Sequence, residues 1–453
     1  MSKTNLFDEF QPVSAKSWKQ LIQFDLKGKD YNDTLIWQSL EGINVKPFYS
    51  QEDLNSESFE NEKSTPWHIN EAIYVNNEKS ANSKAFEAIN SGSESFTFVI
   101  PSPQCNLDTL LKNLPLEQLP IYFELKFLSH EFVITLNNFA KSKNAIFFVN
   151  LDPIGYLTET GNWFYGLQKD LDHLQTMIDT CKNLKSTLSI NAGLYQNAGA
   201  TMVQQLAYAL AHVNEYLVRL NNLNPEFIVF KVNVGSNYFF EIAKLKALRL
   251  LWSTLTQALQ IQCKCHILAG PTKRNKTIFD SNTNLLRSTT ECMSAVLGGA
   301  DSVFNLDHDA LFKKENNFSR RLSRNQLLII KHESAFNKVN NPTEGAYFIS
   351  SLTEQLAEKS LALFKDLEAN GGFLTQLKAG IIQKKIKESA RKEQELYDNN
   401  EIVLVGTNYQ EISEDLEDRL ELYPFMKINP RKTLLEPIIT KRLAENTEQQ
   451  RLK

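Results

Sequence analysis

The chain has 453 residues, of which 42% are hydrophobic and 23% charged, enough for one large barrel-type domain with extras or for two to three ordinary domains. Its 49 Lys and Arg stand against 53 Asp and Glu, a net charge of −4, which argues against a polyanion as main partner and so against nucleic-acid binding. With only 17 Gly and 14 Pro, the collagen-like, linker-rich and low-complexity classes are excluded.

Residues 1–20, MSKTNLFDEFQPVSAKSWKQ, are acidic where a secretory leader needs a cationic start followed by an apolar run. Apolar stretches such as AIFFVNL (145–151) fall well short of the roughly 18–20 residues that span a bilayer. The expectation is a soluble, cytoplasmic protein with no membrane partner. Residues 1–60 hold Trp18 and Trp37 without barrel periodicity and read as an extended arm that packs on another surface.

Short β-type runs then recur, at 95–100 (SFTFVI), 121–127 (IYFELKF), 145–150 (AIFFVN), 186–191 (STLSIN), 227–234 (FIVFKVNV), 263–268 (CKCHIL) and 301–306 (DSVFNL). From 145 onward their spacing is about 40 residues, the size of one strand-plus-helix unit of a (β/α) barrel. An eighth strand is ambiguous between 131–136 (EFVITL) and a segment near 344–349. Between the strands, Val203, Leu206, Leu210, Val213 and Leu217 mark one helix face, with Gln204, Gln205, His212, Asn214 and Glu215 mostly off it. Ile242, Leu245, Leu248, Trp252 and Leu255 mark a second helix, which Asn237 would cap. Residues 352–368 form a third, closed by Gly371-Gly372 in the left-handed exit. Residues 374–453 carry a charged helix (382–398) with Glu388 and Lys392 paired at i, i+4, a short strand (402–405) and a polar C-terminal helix.

Few residues look like a chemical centre. The five cysteines form no disulfide framework. Cys263-Lys264-Cys265-His266 has no second ligand pair at zinc spacing and reads as thiols of a core strand. Gly298-Gly299-Ala300 precedes a strand, the reverse of a phosphate-cradling loop, and reads as close backbone packing. Arg320, Arg321 and Arg324 with Lys313 and Lys314 read as a solvated face ahead of an acidic-partner surface.

From about residue 185 the sequence resembles the methylmalonyl-CoA mutase family. Residues 189–200, SINAGLYQNAGA, look like the family segment Ser-Ile-Ser-Gly-Tyr-His-Met-Gln-Glu-Ala-Gly-Ala. Residues 228–255, 284–305 and 342–372, together with Val405-Gly406-x-Asn408 and Pro66-Trp67-x-Ile69, match further family segments in order. Residues 17–49 look like the arm of the family's small, or beta, subunits. The resemblance implies an α/β fold: a (β/α)8 TIM barrel (61–372) with an N-terminal arm that contacts another subunit (1–60) and a C-terminal helical extension (373–453).

The departures from the family pattern bear on function. Catalytic members present a Tyr-His pair to substrate and cobalamin, the His bonding the thioester carbonyl, where this chain has Gly193 and Leu194. Leucine can neither donate nor accept a hydrogen bond, so that electrostatic role is lost. Gln196 keeps the family residue type without the family's neighbours. The family's Tyr-x-Thr-Met-Tyr stretch, which contributes to the coenzyme A channel, is replaced by Phe59-Glu60-Asn61-Glu62-Lys63-Ser64-Thr65. In place of the cobalt-binding Asp-x-His-x-x-Gly, the nearest match is Asp307-His308-Asp309, and His308 reads as an ordinary loop histidine. Longer members continue into a flavodoxin-like cobalamin domain, whereas the sequence given stops at Lys453. No collection of positive charge is evident at the expected barrel mouth.

The resemblance therefore implies the non-catalytic small subunit of a heterodimeric, adenosylcobalamin-dependent methylmalonyl-CoA mutase. The expected partner is the catalytic large subunit, which would hold the cofactor; this chain would have no catalytic, cofactor-binding or metal residues of its own. The alternatives are an active acyl-CoA mutase barrel whose cobalamin domain is a separate chain, disfavoured by Leu194, and an assembly factor.

Overall fold

The computed structural model describes residues 9–11, 13–54, 66–221, 223, 225–411, 420–426 and 431–452. The Phe59–Thr65 stretch contrasted above with the family's Tyr-x-Thr-Met-Tyr segment lies outside them.

Eight parallel strands make one sheet: β1 (His68–Tyr74), β2 (Ser95–Ile100), β3 (Ile121–Leu125), β4 (Phe147–Asn150), β5 (Ser189–Asn191), β6 (Phe227–Val234), β7 (Lys264–Pro271) and β8 (Ser302–Phe304). They lie in the order β4-β3-β2-β1-β8-β7-β6-β5. Backbone bonds join the two ends: Lys185 N to Phe147 O and Val149 N to Ser186 O, both 2.8 Å, and Ser189 N to Leu151 O, 2.9 Å. Helical segments follow the strands and cover the ring, so the fold is a (β/α)8 barrel.

Side chains alternate between the two faces of each strand. Phe96, Phe98, Ile121, Phe123, Ile228 and Phe230 point outward into the core beneath the helices. Tyr122, Phe148, Val229 and Leu268 point inward and form a separate apolar cluster with Ile146, Phe227 and Phe304. Among them, Tyr122 Oη bonds His266 Nε2 at 2.7 Å and Ser302 Oγ at 2.8 Å. His266 and the flanking Cys265 thus face opposite sides of β7, and Cys263 is buried, as expected of thiols in a core strand. Added to Gly298, a Cβ would meet Leu245 at 2.9 Å, in keeping with close packing there.

The eighth strand is neither of the two segments proposed from sequence. Residues 131–136 lie in the helix His130–Lys143, started by Ser129, whose Oγ accepts from Phe132 N; Phe132, Val133, Leu136 and Ala140 are its buried apolar residues. Residues 344–349 form a turn and the start of the helix Tyr347–Ala369. The missing strand is β1, whose apolar run is broken by Asn70 and Glu71. Asn70 bonds Ser95 and Thr97 of β2. Glu71 receives Arg320, and also Arg324 at 2.8 Å, both from the helix Asn317–Leu328. Arg320 and Arg324 are therefore buried partners of a strand carboxylate and not a solvated face; Arg321 alone of the three is exposed.

Four further expectations change. The helix Met202–Arg219 is buried nearly all round, His212, Gln205, Asn214 and Glu215 included. Residues 402–405 form no strand beyond an isolated bridge of Val405 to Tyr409 around the turn at 406–408, because Asn408 bonds Leu404 N, Ile402 O and Tyr397 O and locks the chain back on itself. The C-terminal helix is short, Glu445–Arg451, since Pro437 interrupts the segment before it. In the helix Ile381–Asp398 the ion pairs are Lys385–Glu388 and Arg391–Glu395.

A cavity of about 180 Å³ lies between β1 and the helix Asn317–Leu328, lined by Glu71, Asp307, Arg320 and Arg324 among others. Burial pushes the Asp307 carboxyl up to about 6, outweighing the bond from Ser323 Oγ. The folded state thus holds this proton more tightly than the unfolded chain, and its stability falls as pH rises from about 4 through 6. Asp307→Asn should raise stability by on the order of 1–2 kcal/mol at pH 8 and by nothing at pH 4, read from urea midpoints. Glu71→Ala should cost about 3–5 kcal/mol by leaving Arg324 buried without its carboxylate and Arg320 with Glu315 alone, against under about 0.5 kcal/mol for Arg321→Ala.

Candidate functional site

In a barrel of this type the chemistry sits where the strands end, in the loops at their C-terminal ends. The end of β5 is anchored there by Asp152, from the loop after β4. Asp152 Oδ2 accepts from Asn191 N at 2.9 Å; its Oδ1 takes His212 Nε2 and Tyr216 Oη, both at 2.8 Å. Tyr195 Oη lies 2.9 Å from His212 Nδ1. Burial alone would raise the Asp152 carboxyl, but His212 and the backbone donors bring it below the ordinary carboxylate range. All four side chains are enclosed by protein, so the network holds loops in place and offers no group to solvent.

On that support the chain turns into the short helix Gly193–Asn197. A Cβ on Gly193 would stand 2.0 Å from Asn233 Oδ1. Asn233 cannot swing aside, because its amide is bound to Gly270 O and Pro271 O and its oxygen accepts from Asn197 Nδ2. A side chain at Gly193 would have to displace Asn233 from these bonds. Leu194 is 5% exposed and belongs to the apolar core. Gln196 does have partners: its amide donates to Glu241 Oε1 at 2.9 Å, and its oxygen accepts from Lys244 Nζ at 3.0 Å. Lys244 and Glu241 form an ion pair at 2.5 Å, each 1% exposed, from the helix Tyr238–Leu259. The three positions singled out from sequence thus lie together, yet none presents a free hydrogen-bonding group.

The mouth itself is built from residues the sequence reading passed over. Glu124 of β3 bonds Lys126 at 2.6 Å and Lys231 of β6 at 2.5 Å. Burial would raise the Glu124 carboxyl, but Lys231 and Lys126 bring it down to about 2. Lys273, in the loop after β7, is depressed by the surrounding protein and then by the nearby Lys231 cation. Positive charge is therefore collected at the rim, contrary to expectation. Beside Glu124 in register stands Asn150 of β4, 7% exposed, with neither amide atom hydrogen-bonded within the protein. One signal pointed here: Glu124, Asn150 and Lys231 interrupt strand runs at inward positions near their C-terminal ends.

The residues do not make a cobalt-ligating set. His308 has its Nδ1 buried without a partner and its ring edge-on to Phe318, and no Gly follows at the family spacing. Among the described residues no group of three or more His, Cys, Asp or Glu could hold a metal ion.

The fit at Gly193 gives a direct test. Gly193→Ala should cost about 1–3 kcal/mol by overpacking, and Asn233→Ala introduced with it should recover part of that loss. A double-mutant cycle in urea would then show compensating coupling of about 1 kcal/mol; simple additivity would mean that Asn233 is not the obstacle.

The comparisons with known proteins agree over most of the chain. A family model for methylmalonyl-CoA mutase matches residues 102–450. The methylmalonyl-CoA mutase small subunit of Porphyromonas gingivalis is 32% identical, over 93% of this chain and 73% of its own length. The methylmalonyl-CoA mutase of Cereibacter sphaeroides is 27% identical, over 90% of this chain and 65% of its own. The mitochondrial enzyme of Homo sapiens is 24% identical, over 96% and 65%; the chain thus spans about two thirds of these last two relatives. With a matching family model over most of its length and a small-subunit relative at this identity, the chain belongs to the methylmalonyl-CoA mutase family.

Proposed function

We propose that this chain is the non-catalytic small subunit of a heterodimeric, adenosylcobalamin-dependent methylmalonyl-CoA mutase, and that it stabilises a catalytic large subunit in the cytoplasm. The observation that carries the reading is the pair Gly193 and Leu194. One has no room for a side chain and the other is apolar and buried, so the positions that face substrate in catalytic members supply no polar group. The barrel below them is lined by the buried side chains of Tyr122, Phe148, Val229 and Leu268, which would stand in the way of a long acyl-coenzyme A arm. The interconversion of methylmalonyl-CoA and succinyl-CoA, and the cobalamin that supplies its radical, would belong to the partner.

A surface for that partner is available in the arm. The helix Ala15–Asp25 has no buried residue, and Trp18, Leu21 and Phe24 are 48%, 53% and 81% exposed. Phe10 and Val13 ahead of it are exposed as well. Such a stripe is costly in water and is relieved by a second chain. A subunit that binds only the folded form of its partner raises that partner's stability by mass action.

Co-expression with the large subunit tests the reading. The two chains should co-elute on size exclusion, and mutase activity and cobalamin uptake should require the large subunit. Trp18→Ala should weaken association by about 2 kcal/mol, roughly thirtyfold, with the melting temperature of the isolated chain unchanged. Activity or cobalamin uptake by the isolated chain would favour the active-barrel alternative. Failure to co-elute would remove the subunit reading.

A further inference from the structure

Two histidines 43 residues apart in the sequence meet on the helical layer outside the barrel. His130 opens the helix His130–Lys143, and His173 lies in the second turn of the helix Leu167–Thr180. Their Nδ1 atoms stand 3.1 Å apart, and both residues are half-buried, so solvent reaches the pair. Each ring is held from behind. His130 Nε2 lies 3.3 Å from Glu131 Oε1, and Ser129 Oγ donates to the other oxygen of that carboxylate at 2.7 Å. With Glu131 as acceptor the His130 proton belongs on Nε2, which leaves the Nδ1 lone pair aimed at His173. The ring of Tyr165 stacks on His173 at 5.5 Å; its backbone N–H is bound by Asp170 and its Oη donates to Leu128 O, two residues before His130. Carboxylates bear on the pair electrostatically, Glu131 on both rings and Asp170 on His173.

We infer that His130 and His173 form a binding site for a divalent transition-metal ion of the zinc type, with Glu131 as the outer carboxylate that orients His130. Such an ion sits about 2.0–2.1 Å from an imidazole nitrogen, so two nitrogens 3.1 Å apart subtend roughly 100° at it, close to the tetrahedral angle. In the metal-free chain His173 Nδ1–H donates to His130 Nδ1. Binding moves that proton to Nε2 of His173, and two lone pairs then converge on one point. Imidazole ligands select zinc, copper and nickel over magnesium and calcium, which take oxygen. Two side-chain ligands make an open site whose remaining positions are filled by water, in keeping with the lack of any larger ligating cluster among the described residues. The ion ties one helix to its neighbour and stabilises that part of the fold by mass action. The site has no part in mutase chemistry and stands whether or not the chain is a small subunit.

The test is calorimetric titration of the full isolated chain, free of affinity tag and chelator, with zinc chloride and separately with magnesium chloride. Saturable one-site binding of zinc is expected, with a rise in melting temperature that EDTA reverses. His130→Ala and His173→Ala should each weaken it about tenfold or more and Glu131→Gln about threefold or more. His332→Ala, at an exposed histidine elsewhere, should leave it unchanged. One equivalent of copper(II) should give an electron paramagnetic resonance spectrum split by two nitrogen nuclei. If an alanine variant does not fold, His130→Asn or His173→Asn replaces it, with the same loss expected. Absence of saturable zinc binding overturns the site and leaves a plain N–H···N bond between the rings. Undiminished affinity in either histidine variant, or a copper spectrum without two nitrogens, overturns the ligand pair. Equal affinity for magnesium overturns the assignment to a nitrogen-seeking ion.

Discussion

A closed barrel of eight parallel strands has a single interior, and whatever fills it decides what the ends can do. Here it is filled by side chains. Tyr122, Phe148, Phe227, Val229 and Leu268 meet across the axis, with His266 stacked on Phe148 at 4.6 Å and held by Tyr122 Oη. Interiors pack at near-crystalline density, and rings of this size take up much of the axis. The consequence reaches the mouth: polar groups at the strand ends stand on an apolar floor, and their charges meet one another across the opening instead of a ligand tail rising from below. Lys231 of β6 reaches Glu124 of β3 for this reason, and Glu124 stays ionised despite its burial.

The segment that would carry catalysis in the family is held as firmly as the floor. Asp152, His212 and Tyr195 pin its start, and Glu241, Lys244 and Gln205 hold the far side through Gln196 and Asn233 O. Buried ion pairs contribute little net stability when complete and cost several kcal/mol when broken. Their effect is to fix one geometry. The loop that carries Gly193 and Leu194 is thus held rigidly, with the polar groups beneath it paired.

Sequence periodicity located seven of the eight strands because their apolar runs are continuous, and it missed β1 because Asn70 and Glu71 interrupt that run. Both are explained by partners far along the chain, Arg320 and Arg324 in the case of Glu71, and no local pattern contains that information. The same limit hid the mouth. Lys231 and Glu124 are 107 residues apart, and each alone looks like a lapse in a strand. His212, placed off the helix face by its period, is buried because the helix Met202–Arg219 is covered on both sides, by the barrel and by the helices Tyr347–Ala369 and Gly372–Lys378. Gly193 and Leu194 were legible as departures from the family pattern, but the obstacle to a side chain at Gly193 is Asn233, which only the fold brings near.

The two extensions, alike in the sequence as non-barrel chain, differ in where their hydrogen bonds go. The C-terminal segment gives its backbone to the rim: Leu434 and Leu435 donate to Gly161 O, Ile438 to Thr158 O, Lys441 to Asn197 O and Leu443 to Arg274 O. Arg274 in return reaches Glu393 and Lys441 O, and Glu448, paired with Arg442, accepts from Ile278 N. These bonds tie the loops after β4, β5 and β7 to one strap, so the charged tail belongs to the barrel and its ionic groups are largely spent. The arm helix has no such account. Its first N–H, of Ala15, is bound by Glu52, but it exposes Trp18, Leu21 and Phe24, and burying three such side chains releases several kcal/mol. The apolar surface left uncovered is therefore at the N-terminal end, while the tail is spent on the fold.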